Sequence, residues 1–361
     1  MSKARGLADL GNVYSDGALS NRNKAINGAM TINQRNAGVV SVTSSGAFYA
    51  VDRFRMSGIS GGGSVWSGEQ SSDAPAGFSK SLKLTVTTAA ATAANKTNYV
   101  VHSFEGNNVS DLNFGSSDAQ TITVSFWAKS SVTGSFGGSC VNEAITRSYP
   151  FSYTIAVANT WEHKTVAIVG ETTGTWATDN GIGISIYWGL GIGVVRTGTA
   201  DQWNSAFQMA ATGSVDWASN AGATFNITGV QLEAGPATPF EHRSFDQEHT
   251  LCQRYFQRYG GGDTSGIFAI GGWASSSVAE VTVSFVHEMR VPPTVTSPQL
   301  GRCLDVNVAW NNVTSIATIA QNSTKSTTLR VNTQTGTAAQ GDSAQLGGGG
   351  NTFDYLFDSE L

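Results

Sequence analysis

Short segments in which apolar and polar residues alternate recur along this chain, and they restrict its fold more than any other feature. Segment 81–89 is the clearest, because Leu82, Leu84 and Val86 fall on one face of an extended chain. A period of two residues is typical of a half-buried β-strand. Further strand-like segments, separated by turns rich in Gly, Ser and Asn, occur at 25–36, 48–56, 97–104, 121–130, 149–157, 163–170, 183–191 and 224–233. This spacing predicts a jelly-roll β-sandwich over residues 25–240.

A second series of such segments follows residue 262 and makes the predicted fold all-β. It comprises the segments 265–274, 279–289, 305–310, 314–320 and 325–333. We expect them to form a second, smaller β domain over residues 262–361. The first 24 residues (1–24) are polar and show no clear periodicity, which predicts an arm that becomes ordered against a partner. A disordered leader is the alternative.

Between the two β regions, residues 241–261 read as a short helical connector. A helix is expected over 245–259, with acidic residues in its first turn and arginines in its last. Its apolar stripe consists of Leu251, Tyr255, Phe256 and Tyr259. Such a stripe has to be buried, so we interpret it as a packing surface. It would lie either against the two β domains of its own chain or between subunits of an oligomer.

The composition argues against several classes of function. Charged residues make up 13% of the chain, about half of the usual share, and the net charge is −5. No run of Lys and Arg exceeds two residues, whereas a nucleic-acid surface needs a basic patch. We therefore expect no nucleic-acid partner. The start of the chain lacks the apolar core of a signal peptide, and no apolar stretch is long enough to predict membrane insertion.

Two tryptophans in polar segments are the candidates for ligand binding. A sugar is commonly bound by an exposed indole face together with amide and carboxylate groups that take its hydroxyls. The candidate glycan-binding residues are Trp176, Asp179, Asn180, Asp201, Gln202, Trp203 and Asn204. The alternative is that these indoles cap an edge of the sandwich or fill a subunit interface. Trp127 and Trp188 lie in strand-like segments, and we expect them in the core.

The chain carries no catalytic motif that spacing would reveal. The five histidines form no metal-protease pair, and the three cysteines lie far apart without metal-ligand spacing. Catalytic carboxylates can come from distant segments of a chain, so the sequence leaves open a pair of carboxyl groups of the kind that glycosidases use. We expect a protein that is not an enzyme.

Several segments, taken in order, resemble a recurrent part of phage tail-fibre and other virion structural proteins. They are INGAMTINQRN, YAVDRFRM, SVWSGEQSSDAPAGFSKSLKLTVTTA, TITVSFWAKSS, FSYTIAVANTWEHKTVAI, GVQLEAGPATPFEHRSFDQEHTLCQRYFQRY, MRVPPTVT and FDYLFDSEL. The resemblance implies a jelly roll similar to carbohydrate-binding modules. In those modules the starting and closing strands lie close together and often hold a structural calcium ion. By that analogy Asn27, Gly28 and Glu233 would lie near one another at a Ca²⁺ site. No acidic cluster surrounds Asn27.

The same resemblance implies a homotrimer located in the virion. Its N-terminus would attach to other tail or baseplate proteins, and its distal part would contact host cell-surface glycan. The leading hypothesis is therefore a non-enzymatic tail-fibre or appendage protein. One alternative is a capsid decoration or other purely structural virion protein. Another is a depolymerase that cuts surface polysaccharide, although such enzymes are often β-helices with long repeats and no repeat is visible here.

Overall fold

The computed structural model describes residues 22–35, 38–59, 63–91, 93–305, 310–318, 322–334 and 338–361. The chain divides into two compact units, Met1–Phe245 with Leu361 (unit 1) and Asp246–Glu360 (unit 2). Residues 1–21 of the predicted N-terminal arm lie outside the described residues. The division between the units falls inside the segment 241–261 that was predicted as a connector. In the described ranges no helix is long and apolar enough to cross a membrane.

Unit 1 is a sandwich of two six-stranded antiparallel sheets, as the alternating segments predicted. Sheet 1 has the order β1-β4-β5-β14-β7-β10, and sheet 2 has the order β2-β3-β6-β11-β8-β9. The strands are β1 (Val40–Val42), β2 (Phe48–Tyr49), β3 (Phe54–Ile59), β4 (Val65–Ser71), β5 (Ser81–Thr88), β6 (Thr97–Glu105), β7 (Ile122–Ser130), β8 (Gly134–Val141), β9 (Ser148–Ile155), β10 (Glu162–Ile168), β11 (Ile182–Ile192), β12 (Thr197–Gly198), β13 (Ala210–Ala211) and β14 (Thr224–Ala234). A single-turn helix, α1 (Gly106–Val109), follows β6.

The core of unit 1 fills the space between the two sheets. Leu82, Leu84 and Val86 all point into it, which confirms the face predicted from their alternation. Trp188 is fully buried there, as expected. The core placement predicted for Trp127 is wrong. Its neighbours Phe126 and Ala128 face the core, so Trp127 projects from the opposite face of β7 and is only half-buried.

The outer face of sheet 2 is covered by the chain's own residues. Val101, Val141 and Tyr187 form a small apolar cluster with Met209, a buried residue from the segment just before β13. The half-buried Phe207 packs against the same cluster. Phe207 and Met209 thus help to remove side chains of β6, β8 and β11 on this face from water.

The strand predicted at residues 25–36 is wrong. Ile26, Met30 and Ile32 are buried as their alternation suggested, but the described part of the segment, 25–35, makes turns. Asn27 and Met30 have positive φ angles of 61° and 58°. The Asn27 amide donates to the backbone oxygens of Ile32 and Asp52, both at 2.9 Å, and its oxygen accepts from the Ile32 N–H at 2.9 Å. These bonds replace a strand ladder with a side-chain-stabilised turn.

Unit 2 consists of a closed barrel and a three-stranded sheet. The barrel order is β16-β17-β21-β20-β19-β22, and the sheet order is β15-β23-β18. The strands are β15 (Phe256–Asp263), β16 (Ile267–Ser275), β17 (Val278–Ser284), β18 (Thr294–Leu300), β19 (Arg302–Leu304), β20 (Trp310–Thr318), β21 (Ser326–Thr333), β22 (Ser343–Gly347) and β23 (Phe353–Asp358). Both units are therefore built of strands, and the predicted all-β class is confirmed.

The helix between the two β regions is shorter than its sequence predicted. Helix α2 (Phe245–Gln253) contains Leu251, but Tyr255 follows its end and Phe256 begins β15. In β15, Phe256 lies opposite Asp358 and Tyr259 lies opposite Tyr355 of β23. The prediction of one helical stripe through Tyr259 is thus wrong, because pairing with a distant strand overrides the local helical period. Tyr255 and Phe256 are 0% and 1% exposed within the single chain.

Candidate functional site

The structure brings the two predicted ligand-binding tryptophans together. Trp176 lies between β10 and β11, and Trp203 lies between β12 and β13, yet their ring centroids are 5.6 Å apart and nearly perpendicular. Phe114 packs edge-to-face on both rings, and Tyr149 packs on Trp203 at 5.2 Å. We call these four residues the loop aromatic cluster. Sequence reasoning found two of its members, but nothing local to the sequence indicates that they meet.

The loop aromatic cluster is built as a cap on the sandwich. The Trp176 Nε1–H donates to the carbonyl of Thr173 at 3.0 Å, and the Trp203 Nε1–H donates to that of Val169 at 2.7 Å. Both indoles are half-buried and pack against the core of unit 1. The cavity beside Trp176 has a volume of about 20 Å³, enough for a water molecule but not for a sugar ring. These contacts favour the capping alternative for both rings.

A partly buried ion pair stabilises the loop that carries Trp176. Glu171 is 3% exposed, and its Oε2 accepts from Arg147 Nη2 at 2.5 Å and Nε at 3.1 Å. Its Oε1 accepts from the N–H and the hydroxyl of Thr173 at 2.9 and 2.8 Å. This network positions Thr173, whose carbonyl in turn accepts from the indole of Trp176.

The polar residues predicted around the two indoles lie at the surface. Asp179, Asn180, Asp201 and Gln202 are exposed, and Asn204 is half-buried. The Asp179 carboxylate accepts from the Gly181 N–H at 2.9 Å, and the Asn204 amide donates to the Gln202 carbonyl at 2.9 Å. Several of these groups therefore stabilise their own loops. Their role in glycan contact stays a prediction.

The residues implied at a calcium site are occupied by the chain's own hydrogen bonds. Gly28 lies against β14, where its carbonyl accepts from the Val230 N–H at 2.9 Å. The Glu233 carboxylate accepts from the Gln231 amide at 2.8 Å and from the Thr238 N–H and hydroxyl at 2.9 and 2.6 Å. The Asn27 oxygen already accepts from a backbone N–H. In this arrangement few of their oxygens are free to coordinate Ca²⁺, which takes six to eight oxygen ligands. The calcium site implied by the resemblance stays a prediction. Among the described residues, no group of three His, Cys, Asp or Glu could hold a metal ion.

A different aromatic site lies on the outer face of sheet 1. Trp127 and His163 face each other across β7 and β10, with ring centroids 5.3 Å apart. Two segments fold over this face, one bringing Phe78 and the other bringing Phe240 and His242. The Phe78 ring lies 5.0 Å from Phe240 and 5.2 Å from His242. These residues line an open space of about 530 Å³, which is called the outer-face pocket below.

The floor of the outer-face pocket requires a glycine. Gly229 lies at a bulge of β14, between Thr228 and Gln231, with φ of 61°. A Cβ atom there would lie 2.7 Å from Cζ of Phe78 and 3.0 Å from Cδ1 of Trp127. The missing side chain allows both rings to approach the strand and leaves the space between them open.

Polar groups of the pocket are uncharged or weakly basic. His163, His242 and Thr238 line it, and the lining residues that the structure describes include no Asp, Glu, Lys or Arg. Partial removal from water, followed by the charge of Lys164, lowers the pKa of His163 below its ordinary value. At neutral pH this imidazole is therefore mostly neutral, with one nitrogen that donates and one that accepts. The pocket combines aromatic faces with such groups, as ligand sites of this size commonly do.

Sequence reasoning missed this pocket although parts of it were visible. The segment at 121–130 was recognised as a strand, and its alternation places Trp127 on the same face as Ser125 and Lys129, opposite Phe126. That alternation was the available signal that Trp127 lies outside the core. The segments that fold over this face could not be read from it.

Comparison with known proteins shows no family. No protein-family model and no curated protein sequence matches the chain. One similar solved structure is the enzymatically active domain of tailspike protein 4 of bacteriophage CBA120. Its sequence identity to this chain is 13% and its TM-score is 0.31, and the match covers 59% of this chain and 22% of that chain. The family 11 carbohydrate-binding module from Clostridium thermocellum, in complex with a β-1,3-1,4-mixed-linked tetrasaccharide, has 13% identity, coverage of 57% and 98%, and a TM-score of 0.28. The CBM22-1 xylan-binding domain from Paenibacillus barcinonensis has 8% identity, coverage of 55% and 95%, and a TM-score of 0.24.

The chain therefore spans less than a quarter of the tailspike domain, 22% of its length. Since identities and TM-scores are this low, the functional conclusions rest on the residues of this chain.

Proposed function

We propose that this protein binds carbohydrate through the outer-face pocket. The observation that carries the proposal is the half-exposed indole of Trp127, which forms a wall of an open pocket together with Phe78, Phe240 and two imidazoles. Aromatic faces pack against the C–H groups of a sugar ring, while its hydroxyls need donors and acceptors around them. His163, His242 and Thr238 supply such groups, and the described lining residues include no Asp, Glu, Lys or Arg.

Binding without cleavage is the second part of the proposal. Glycoside hydrolysis in most enzymes uses two carboxyl groups that flank the scissile bond. The described residues that line the outer-face pocket include no carboxylate. This lining supports a binding module in preference to a depolymerase at this site.

The biological setting that we propose is a phage tail fibre or similar appendage of the virion. The ordered set of segments that resembles such proteins supports it, as does the low share of charged residues, 13%. In this setting the protein would be a homotrimer, attached to other tail or baseplate proteins by residues 1–24 and turned towards host-surface glycan. A single pocket of this kind binds weakly, and repeated copies on one particle raise the effective affinity by avidity.

Replacing one tryptophan at a time separates the two possible glycan surfaces. We expect Trp127→Ala to weaken binding to host polysaccharide about tenfold or more, because it removes an aromatic wall of the pocket. Trp176→Ala and Trp203→Ala remove rings of the loop aromatic cluster and serve as matched controls, with expected changes below about threefold. Calorimetric titration measures binding, and thermal melting checks that each variant is folded.

Each outcome of this comparison has a clear consequence. Unchanged binding in folded Trp127→Ala contradicts the proposal, and loss only in Trp176→Ala or Trp203→Ala assigns binding to the loop aromatic cluster. Release of oligosaccharides from host polysaccharide by the purified protein would favour the depolymerase. Absence of any glycan binding would favour a purely structural virion role. The setting is tested separately by locating the protein, and its copy symmetry, on virions by cryo-electron microscopy.

A further inference from the structure

Unit 2 contains a polar cleft that is separate from the outer-face pocket. Its volume is about 530 Å³. The cleft lies where the end of β18, the start of β20 and the loop before β23 meet, and its walls include Gln299, Asn312 and Asn351. The Asn351 amide donates to the Asn312 side-chain oxygen at 3.2 Å, which connects two of the walls. We call this space the amide cleft.

The walls of the amide cleft are held in place by hydrogen bonds that do not depend on a ligand. One guanidinium, that of Arg302, donates to the carbonyls of both Gly349 and Trp310 at 2.9 Å. The loop is also tied to the end of β15, because the Gly350 N–H donates to the Thr264 carbonyl at 2.9 Å. A cleft whose shape is set in advance loses little conformational entropy on binding.

Close packing of the loop on Trp310 adds to this rigidity. Gly349 has φ of 51°, and a Cβ atom there would lie 2.3 Å from Cδ2 of Trp310. The backbone of the loop therefore rests directly on the indole face. A larger residue at this position would lift the loop and open the cleft.

The polar groups that line the amide cleft are uncharged hydrogen-bond donors and acceptors. None of its described lining residues is charged. The side chains of Gln299, Thr264 and Thr352 are exposed, and within the part of the chain that the structure describes they make no side-chain hydrogen bond. Leu300 and Val313 add apolar surface beneath them. Phosphate or carboxylate ligands are usually met by Arg or Lys, so this lining favours a neutral ligand rich in hydroxyl groups.

We propose that the amide cleft is a second carbohydrate-binding site, selective for neutral glycans. It lies within unit 2, so it does not depend on the outer-face pocket in unit 1. A chain with both sites would have two separate places at which carbohydrate binds, and multivalent display would raise the effective affinity of each.

The test uses the full chain and an array of neutral and uronic-acid oligosaccharides, followed by calorimetric titration with the neutral oligosaccharide that binds best. In the Trp127→Ala background, we expect neutral oligosaccharides to remain bound at one site per chain. Adding Gln299→Ala and Asn351→Ala should then weaken that binding about tenfold or more, since two hydrogen-bonding side chains are removed. Asn332→Ala, an amide on the barrel outside the cleft, is the matched control and should change binding less than about twofold.

The two sites can fail independently. Loss of all neutral-glycan binding in folded Trp127→Ala overturns the amide cleft and leaves the outer-face pocket standing. Unchanged binding after Gln299→Ala and Asn351→Ala, or preferred binding of uronic-acid oligosaccharides in the Trp127→Ala background, also overturns it. If instead Trp127→Ala has no effect and the cleft variants abolish binding, the amide cleft stands and the outer-face pocket does not.

Discussion

Trp127 and His163 face each other across β7 and β10, on the side of sheet 1 that points away from the sandwich core. Their ring centroids are 5.3 Å apart, and the bulge at Gly229 leaves open space beside them. A half-exposed tryptophan on the outside of a sheet is not needed to fill a core. Its position is instead explained by the pocket that it helps to form.

The glycine in the pocket floor offers the first prediction. Gly229→Ala should lower the free energy of unfolding by about 2 kcal/mol or more, because alanine is strained at positive φ and its Cβ overlaps Phe78. It should also weaken glycan binding, since the new methyl group fills the pocket floor. Thermal melting and calorimetric titration measure the two effects.

Gly222→Ala is the matched control for this substitution. Gly222 also has a positive φ, 72°, but a Cβ atom there meets nothing within 4 Å. It therefore shows the cost of backbone strain alone, about 1 kcal/mol. Equal destabilisation by the two variants, with glycan binding intact in Gly229→Ala, would contradict the described pocket floor.

Buried His102 predicts a loss of stability in acid. Burial, followed by the charge of Arg53, holds the pKa of His102 well below its ordinary value of about 6.5. Below that value the unfolded chain binds a proton that the folded chain does not, so stability falls as the pH decreases towards the folded pKa. The slope from this residue is about 1.4 kcal/mol per pH unit.

Urea unfolding between pH 7 and pH 5 measures this slope. His102→Phe removes the titrating group and keeps an aromatic ring beside Phe54 and Phe104, whose rings each lie 4.6 Å from the imidazole. Between pH 7 and pH 5 the variant should lose up to about 2 kcal/mol less stability than the wild type, because the full slope applies only below the ordinary pKa of the histidine. Equal pH dependence in both proteins would show that His102 does not titrate abnormally.

The aromatic residues after helix α2 predict a requirement for folding. Tyr255→Asp combined with Phe256→Asp should abolish cooperative folding of the β15 region, because each buried carboxylate lacks a partner and costs several kcal/mol. Phe245→Asp is the control, since Phe245 is 63% exposed and should change stability by less than about 0.5 kcal/mol. Circular dichroism and thermal melting distinguish the variants. A double variant that melts like the wild type would contradict the burial of these rings.

Metal addition tests the calcium site that the family resemblance implies. Because the Glu233 carboxylate and the Asn27 oxygen accept hydrogen bonds from the chain itself, neither calcium nor a chelator should change the melting temperature measurably. A ligand at 100 times its dissociation constant would stabilise the fold by about 2.7 kcal/mol, which melting detects easily. An increase of several degrees with calcium would contradict this prediction.

Much of the fold was predictable because strand periodicity is local. The alternation of Leu82, Leu84 and Val86 correctly gave both a strand and the face that enters the core. The helical period from Leu251 to Tyr259 was equally clear, but the helix ends at Gln253. Beyond that residue, pairing of β15 with β23 stabilises the chain more than further helical turns would. Local patterns state what a segment prefers, whereas a distant partner decides which preference is realised.

The candidate sites show more clearly the difference between what local patterns predict and what distant residues decide. The sequence by itself determined an all-β chain with few charges, several tryptophans in strands and loops, and no catalytic motif. Only the tertiary structure decided that Trp176 and Trp203 pack on each other as a cap, and that Trp127 opens onto a pocket with His163. The physical reason is that a side chain's exposure depends on which strand pairs beside it and which loop folds over it. Both depend on residues tens to hundreds of positions away, and no local period records them.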